Sequence, residues 1–179
     1  MVAMTRRERH RVHLTAEFVR SVLDYDPQTG ILRWRHRWDR PQQWNTRYSG
    51  TVAGQINNGY RCIQVERDKG AYNAARLAWL YVTGEWPLDQ IDHINGIRDD
   101  NRWRNLRAAS NAENNRNRGA QSNNGTGLRG VSRWGKRWQA RISVDGRQVR
   151  VGAFDTPEEA AAAYAAAARR LHGEFARTE

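Results

Sequence analysis

The chain has 179 residues and a net charge of +11, with 30 Lys and Arg against 19 Asp and Glu. Such an excess of positive charge is typical of proteins that bind a polyanion, and a basic surface without a specific partner is the alternative. The single cysteine excludes a zinc site built from several cysteines, and no apolar run is long enough to span a membrane.

The first predicted elements are a basic arm, a helix, a turn and a strand. Residues 1–13 are rich in arginine with little to bury, which predicts a flexible arm that can touch phosphates. Helical spacing of apolar residues follows over 14–23, with Thr15 as the N-cap. Residues 24–30 have the composition of a turn, and 31–35 alternate as a strand.

The next segment is predicted to be a loop, a hairpin and a buried helix. Residues 36–50 mix tryptophan, tyrosine and arginine, and these side chains could stack on bases or pack over a small core. Asn57-Asn58-Gly59 is a strong hairpin turn signal within 52–65. Residues 74–81 predict a helix with a wide apolar face, ended by Thr83-Gly84.

A strand, a turn, a second strand and a helix are predicted in residues 91–117. A short apolar strand leads to Asp92 and His93, a turn rich in Asn, Gly and Asp follows, and a second strand runs over 105–108. A Ser-x-x-Glu capping box then starts a helix that carries Asn114 on its first turn. We therefore expect Asp92, His93 and Asn114 to meet at one point.

These three side chains suit metal-assisted hydrolysis of a phosphodiester. Carboxylate and amide oxygens are hard ligands for Mg²⁺, which usually takes one or two protein ligands beside water and phosphate. A neighbouring imidazole can deprotonate a water near neutral pH. A His beside an Asp in a loop is more often a surface pair, so Asn105 and Asn114 carry the catalytic interpretation.

With these residues at these spacings, residues 91–118 resemble the ββα-metal core of the HNH endonucleases, in the H-N-N variant of phage and intron-encoded homing enzymes. The resemblance implies that His93 is the general base and that Asp92 and Asn114 bind Mg²⁺ or another divalent cation such as Mn²⁺. It also implies that Asn105 braces the loop that presents His93, and that the cut leaves 5′-phosphate and 3′-hydroxyl ends.

The preceding segment contains Arg76-Leu77-Ala78-Trp79 and Thr83-Gly84-Glu85-Trp86-Pro87. With these stretches it resembles the region before this core in phage HNH proteins, so we expect an HNH domain over 14–118. Relatives often carry a His just before Arg-Leu in the helix of that segment, where this chain has Ala75. If that His assists catalysis, activity here is slower or altered. If it only packs, nothing changes.

A second domain is predicted over 128–179, after a flexible linker at 119–127. Three strands are expected there, at 128–133, 138–144 and 147–154, and a tight Asp-Gly turn joins the last two.

One face of this sheet is predicted to be apolar and the other polar and rich in arginine. Val149 is expected to point inward and Gln139 outward. Thr156-Pro157-Glu158-Glu159 predicts the start of a helix that packs on the apolar face, with Tyr164 and Leu171 filling space.

Several motifs of this segment, among them Arg129-Gly130-Val131 and Gly152-Ala153-Phe154-Asp155-Thr156, are similar to an AP2/ERF DNA-binding domain. A sheet of this width can enter the major groove, where arginine recognises guanine edges. The resemblance implies that these residues face DNA: Arg129, Arg133, Trp134, Arg141, Ser143, Gln148 and Arg150. Ser132 stands where plant relatives often have Arg, so the plant target sequence is not transferred.

The predicted fold is α+β: a ββα-metal (His-Me finger) nuclease core, preceded by a small β-rich segment and linked to a three-stranded antiparallel sheet packed on one helix. The predicted function is that of a metal-dependent HNH homing endonuclease that nicks or cleaves double-stranded DNA at a site selected by the AP2 domain. The alternative is a sequence-specific DNA-binding regulator or integrase-like binder with a non-catalytic HNH unit. RNA binding is weaker, because the sheet lacks paired stacking aromatics.

The expected assembly and location follow from the same features. One HNH site per chain favours a monomer or a weak dimer, with no membrane partner. The N-terminal residues lack the apolar stretch of a secretory signal, and a lone cysteine fits a reducing compartment. We therefore expect an intracellular protein, in the cytoplasm of a bacterial or infected host cell.

Overall fold

The computed structural model is a mixed α/β protein and describes residues 14–66, 70–117, 119, 124–144 and 146–177. The chain divides into two compact units, Met1–Ala108 and Ala109–Glu179. The predicted arm and residues 120–123 of the predicted linker lie outside the described residues. Within the described part of the chain, no helix has the length and apolar character needed to cross a membrane.

The first unit begins with a short helix and a hairpin. Helix α1 (Ala16–Val22) starts at Thr15, whose hydroxyl accepts a hydrogen bond from the Phe18 N–H at 3.2 Å, so the predicted cap is confirmed. Strands β1 (Leu23–Asp26) and β2 (Ile31–Trp34) pair antiparallel.

Two predictions for this region are wrong. The start of the predicted turn, Asp24–Asp26, belongs to β1, because burying Leu23 and Tyr25 on alternate positions favours an extended chain. The predicted loop at 36–50 contains a helix, α2 (Gln42–Tyr48), which lacks a side-chain cap that the sequence could have revealed.

The aromatic side chains of this region pack on one another. The rings of Trp34 and Trp44 meet edge to face at 5.5 Å, and those of Trp44 and Tyr48 lie 5.1 Å apart. Arg37 is buried, and its guanidinium carbon lies 5.9 Å from the ring centroids of both tryptophans. These rings therefore have a packing role. Packing and stacking on bases were the two roles that the sequence left open.

A second small sheet leads into helix α3. Strands β3 (Gln55–Asn57), β4 (Tyr60–Ile63) and β5 (Tyr72–Asn73) pair antiparallel in that order, which confirms the predicted hairpin. Helix α3 (Ala74–Thr83) ends at Gly84 in the left-handed conformation, as predicted.

One apolar core holds this unit together. Ala75 is 1% exposed within it, so its small side chain packs. Burying each large apolar side chain contributes about 1.5–3 kcal/mol. The largest fully buried apolar side chains here are Val19, Leu23, Leu32, Ile63, Val65, Leu77 and Leu80.

The strands and helix predicted in 91–117 are present. Strand β6 (Gln90–His93) pairs with β7 (Leu106–Ala109), and a 3₁₀ turn, Trp103–Asn105, precedes β7. Helix α4 (Asn111–Arg116) begins with the predicted capping box of Ser110 and falls in the second unit.

The second unit also holds a three-stranded antiparallel sheet that packs on helix α5 (Pro157–His172). The cap at Thr156 is confirmed. Tyr164 fills the core as predicted, whereas Leu171 does not, since it is 42% exposed. A 3₁₀ turn, Gly173–Phe175, follows the helix. The strands are β8 (Val131–Trp134), β9 (Arg137–Val144) and β10 (Arg147–Phe154).

Two burial predictions for the sheet are wrong. Val149 lies opposite the buried Ile142 but is 45% exposed, on β10, which is one of the two edge strands of the sheet and has a neighbouring strand on one side only. Gln139, expected at the surface, is 7% exposed, and its carboxamide donates to the Ser132 hydroxyl at 3.2 Å.

Candidate active site

Asp92 and His93 end strand β6 and are buried, at 3% and 6% exposure. Gln90 and Ile91, which begin the strand, are only partly buried. Since burying a polar or charged group is costly unless it is paired, the partners of these two side chains define the site.

Asp92 is held by an arginine on the neighbouring strand β7. The Arg107 Nε–H donates to Asp92 Oδ2 at 2.8 Å, and Arg107 Nη2 lies 2.7 Å from the same oxygen. The two side chains are 13% and 4% exposed, so this ion pair is nearly excluded from solvent. It fixes the orientation of the Asp92 carboxyl group within the sheet.

His93 is held by an asparagine from the loop between β6 and β7. His93 Nε2 lies 3.0 Å from Oδ1 of Asn101, which is 2% exposed. The ring of Tyr60, on strand β4, lies 6.1 Å from the imidazole between centroids. The imidazole is thus confined on two sides by side chains from other elements.

Asn105 ties the loop that follows His93 into a compact turn. Its carboxamide donates to Asn95 Oδ1 at 3.0 Å and to the Asp100 carbonyl at 2.7 Å, and it accepts from the Asn95 N–H at 3.0 Å. Its own carbonyl accepts from the Ile94 N–H at 2.9 Å. Two residues directly after His93 are therefore held by this one asparagine.

Asp100 adds a charged acceptor to the same loop. Hydrogen bonds from the Arg102 side chain are the main reason that the pKa of Asp100 is lowered to about 2. The Asn95 carboxamide donates to Asp100 Oδ2 at 2.6 Å. Asp100 is consequently ionised at neutral pH and stabilises the turn as a hydrogen-bond acceptor.

The loop is also attached to the body of the first unit. The Tyr25 hydroxyl donates to the Asn101 carbonyl at 2.7 Å, and burial raises the pKa of Tyr25, so this donor stays protonated. Arg61, on strand β4, forms an ion pair with Asp99 at 3.0 Å. These contacts anchor the loop at both its buried and its exposed side.

The donor chemistry fits a hard divalent cation. The described residues include no group of three or more His, Cys, Asp or Glu side chains that could hold a metal. A cation here would therefore use the Asp92 carboxylate with amide oxygen and water, the arrangement that Mg²⁺ accepts. Asn114 lies on α4 in the second unit, where its N–H donates to the Ser110 carbonyl at 3.0 Å.

Within the second unit, five of the seven predicted DNA-facing residues share one exposed surface of the sheet. Arg141 lies opposite Arg150, and Ser143 lies opposite Gln148, so these side chains project from the same face. The Arg150 guanidinium lies 4.2 Å from the ring centroid of Trp134, which is 49% exposed. We call this surface of five residues the sheet face.

The other two predicted residues are placed elsewhere. Arg133 lies opposite Trp138, on the side of the sheet that carries the buried Val131, and its guanidinium is 5.6 Å from that tryptophan ring. Arg129 is partly buried and donates to the carbonyls of Arg116 at 2.6 Å and Asn115 at 3.2 Å. Arg129 thus holds the carboxyl end of α4.

Sequence reasoning missed Asn101 and Arg107, although both contact the predicted site. The sequence did contain a signal for Arg107. This residue lies on the predicted strand that was expected to pair with the strand of Asp92, and a cation there predicts a cross-strand ion pair with the aspartate. Asn101 had none, since it lies in an irregular turn whose asparagine and aspartate residues also favour turns for local reasons.

A known protein family matches the part of the chain that contains Asp92 and His93. Residues 72–116 match the HNH endonuclease family, and that match includes β6, β7 and α4. Protein 3.8 of Escherichia phage T7 is 37% identical to the chain over 116 residues, which amounts to 61% of this chain and 94% of that protein. The chain therefore belongs to the family of Protein 3.8 of phage T7 and carries an HNH endonuclease domain at residues 72–116.

Proposed function

We propose that this protein is a metal-dependent DNA endonuclease of the HNH homing type, which hydrolyses phosphodiester bonds in double-stranded DNA. The observation that carries the proposal is the buried Asp92-His93 pair at the end of β6, inside the residues that match the HNH endonuclease family. Paired, water-excluded polar groups of this kind are expected where chemistry is performed, because they need no reorganisation during the reaction.

In this proposal His93 is the general base that accepts a proton from the attacking water. Asn105 keeps the turn after His93 in place through its bonds to Asn95 and Asp100. Asp92 and Asn114 would hold Mg²⁺ or another divalent cation such as Mn²⁺. When bound, that cation would supply electrostatic stabilisation of the charge on the scissile phosphate and leaving oxygen.

The second unit is proposed to select the site on DNA, in the manner of an AP2 domain. Its sheet face presents two arginines side by side with exposed polar neighbours, and a guanidinium can bind a guanine edge or a phosphate through two hydrogen bonds. The net charge of +11 favours association with DNA. A monomer or weak dimer on double-stranded DNA is the proposed working form.

The test is incubation of the full chain with a library of supercoiled plasmids that carry random inserts, with Mg²⁺ or Mn²⁺ and in parallel with EDTA. Nicked or linear product should require the metal. His93→Ala should reduce the rate by a factor of about 10²–10⁴, the usual contribution of a general base, and leave affinity for the recovered sites unchanged.

His36→Ala is the matched control, because His36 is exposed and contacts Trp38 rather than the site. It should cleave at the wild-type rate. Cleavage by His93→Ala at that same rate would show that His93 is not the base. Site-specific binding by the wild-type protein without any cleavage would instead identify a DNA-binding regulator with a non-catalytic HNH unit.

A further inference from the structure

Asn101 contacts His93 in a way that distinguishes the two ring nitrogens. Only Oδ1 or Nδ2 of the carboxamide can face the imidazole, and the structure offers an independent criterion for which one does. Asn101 Nδ2 lies 3.3 Å from the Asp99 carbonyl oxygen and donates to it, which leaves Oδ1 at 3.0 Å from His93 Nε2. The reverse orientation would place two carbonyl oxygens against each other.

An amide oxygen can only accept a hydrogen bond. The nitrogen that faces it must therefore carry the proton, so neutral His93 is the tautomer with hydrogen on Nε2 and a lone pair on Nδ1. Asn101 is 2% exposed, and a buried amide without a partner is costly, so the pairing resists exchange with water.

The backbone of Asn101 is held as firmly as its side chain. The Tyr25 hydroxyl donates to its carbonyl at 2.7 Å, and its N–H donates to the Asp99 carbonyl at 3.1 Å. The backbone carbonyl, the backbone N–H and the carboxamide of Asn101 are thus all hydrogen-bonded. A residue fixed in this way can orient the His93 imidazole rather than adapt to it.

We infer that Asn101 is a positioning residue that selects the Nε2–H tautomer of His93 and so makes Nδ1 the basic atom. This inference rests on the proposed function for its consequence in catalysis. The choice of tautomer itself can be measured without any cleavage. Asn101 is too buried to contact DNA, so its contribution should appear in kcat rather than in KM.

The first experiment is a long-range ¹H–¹⁵N correlation spectrum of the full chain labelled with ¹⁵N-histidine, in which protonated and unprotonated ring nitrogens have well-separated shifts. The signals of His93 are assigned by their loss in His93→Gln. Neutral His93 should show a protonated Nε2 and an unprotonated Nδ1. A protonated Nδ1 in the wild-type protein would overturn the inference.

The second experiment removes the acceptor. Asn101→Leu should give a mixture of tautomers and reduce kcat by the factor by which the Nε2–H population falls, with KM little changed, because only that tautomer has a basic Nδ1. Asn101→Asp keeps an oxygen near Nε2 and should retain the Nε2–H form. If His93 keeps the same tautomer in Asn101→Leu, the inference is wrong. It is also wrong if the tautomer changes in that variant while kcat does not fall.

Asn45→Leu is the matched control for the loss of a buried asparagine. Asn45 is 5% exposed, and its carboxamide bonds the backbone of Arg37 in another part of the first unit. It should lower the free energy of unfolding comparably while the His93 tautomer and kcat stay unchanged. If the wild-type protein cleaves no DNA, the proposed function fails, and the spectra still decide whether Asn101 sets the tautomer.

Discussion

The residues around Asp92 and His93 in the first unit differ from the sheet face of the second unit in how far their polar side chains are exposed. At the end of β6 and in the segment between β6 and β7, Asp92, His93, Asn101 and Asn105 are only 2–6% exposed, and protein groups hold each of them. On the sheet face of the second unit, the arginines and their polar neighbours are exposed. Substitutions of the buried group should therefore reduce both the stability of the fold and catalysis, whereas substitutions on the sheet face should affect only recognition of DNA.

The physical reason for this difference is the loss of hydration when a polar group is buried. A buried polar group loses its water and must be compensated by fixed partners, so removing one partner leaves the other uncompensated. An exposed arginine keeps its water until DNA replaces it, so removing it costs little in the free protein.

The largest effect is expected from removing the cation of the buried ion pair. Arg107→Met leaves the Asp92 carboxyl group buried at 3% exposure without its guanidinium, which should lower the free energy of unfolding by about 3–5 kcal/mol. Arg137→Met removes an ion pair of the same 2.8 Å separation, with Asp155, whose side chains are 51% and 80% exposed. Its cost should stay below about 1 kcal/mol. Urea denaturation of both variants measures the difference, and equal losses would contradict the role given to burial.

Glycine substitutions test how closely the loop is packed. Gly30 has a φ of +75°, and a Cβ there would lie 2.3 Å from the Arg102 backbone nitrogen. Gly30→Ala should therefore lower the free energy of unfolding by about 3 kcal/mol and reduce cleavage, since strain and a backbone clash add. Gly84 has a φ of +82° with nothing within 4 Å of its Cβ position. Gly84→Ala should cost only about 1 kcal/mol. Thermal unfolding and cleavage assays compare the pair, and a larger loss at Gly84 would refute this packing.

Substitutions on the sheet face should act on binding alone. Arg141→Ala or Arg150→Ala should weaken binding to the cognate site by about 1–3 kcal/mol if the side chain contacts a base edge through two bonds. The free energy of unfolding should change by less than about 0.5 kcal/mol, as is usual for surface positions. Arg133→Ala, on the opposite side of the sheet, should have the smaller effect on binding. Titration by fluorescence anisotropy at two salt concentrations measures the affinity for DNA. An unchanged affinity in both sheet-face variants would show that this surface does not recognise the cognate site.

The smallest effects concern helix caps. Ser110→Ala removes the capping box of α4, a helix of six residues with none buried, whereas Thr156→Ala removes the cap of the sixteen-residue α5. Each cap stabilises its helix by about 1 kcal/mol. Only the loss at Ser110 should reduce cleavage, because α4 carries Asn114 and has little packing to hold it. A reduced cleavage rate in Thr156→Ala alone would argue against Asn114 as a metal ligand.

Much of the local structure was predictable because its signals are local. The caps at Thr15, Ser110 and Thr156, the end of α3 at Gly84 and the turn at Asn57-Asn58-Gly59 each depend on residues within a few positions. The predicted placement of Asp92 and His93 at the end of a strand is confirmed for the same reason.

Local signals in the sequence thus set most of the element boundaries, with α2 and the extent of β1 as exceptions, and they set which residues end β6. Only the tertiary structure decided what those residues touch. Contacts between elements or across irregular turns decide four features of the structure. These are the hydrogen bond between Asn101 and His93, the ion pair of Arg107 with Asp92, the burial of Gln139 and the hydrogen bond of the Arg129 side chain to the Arg116 carbonyl. Burial in a folded chain selects one partner among several that spacing allows, because each buried polar group must be compensated where it lies.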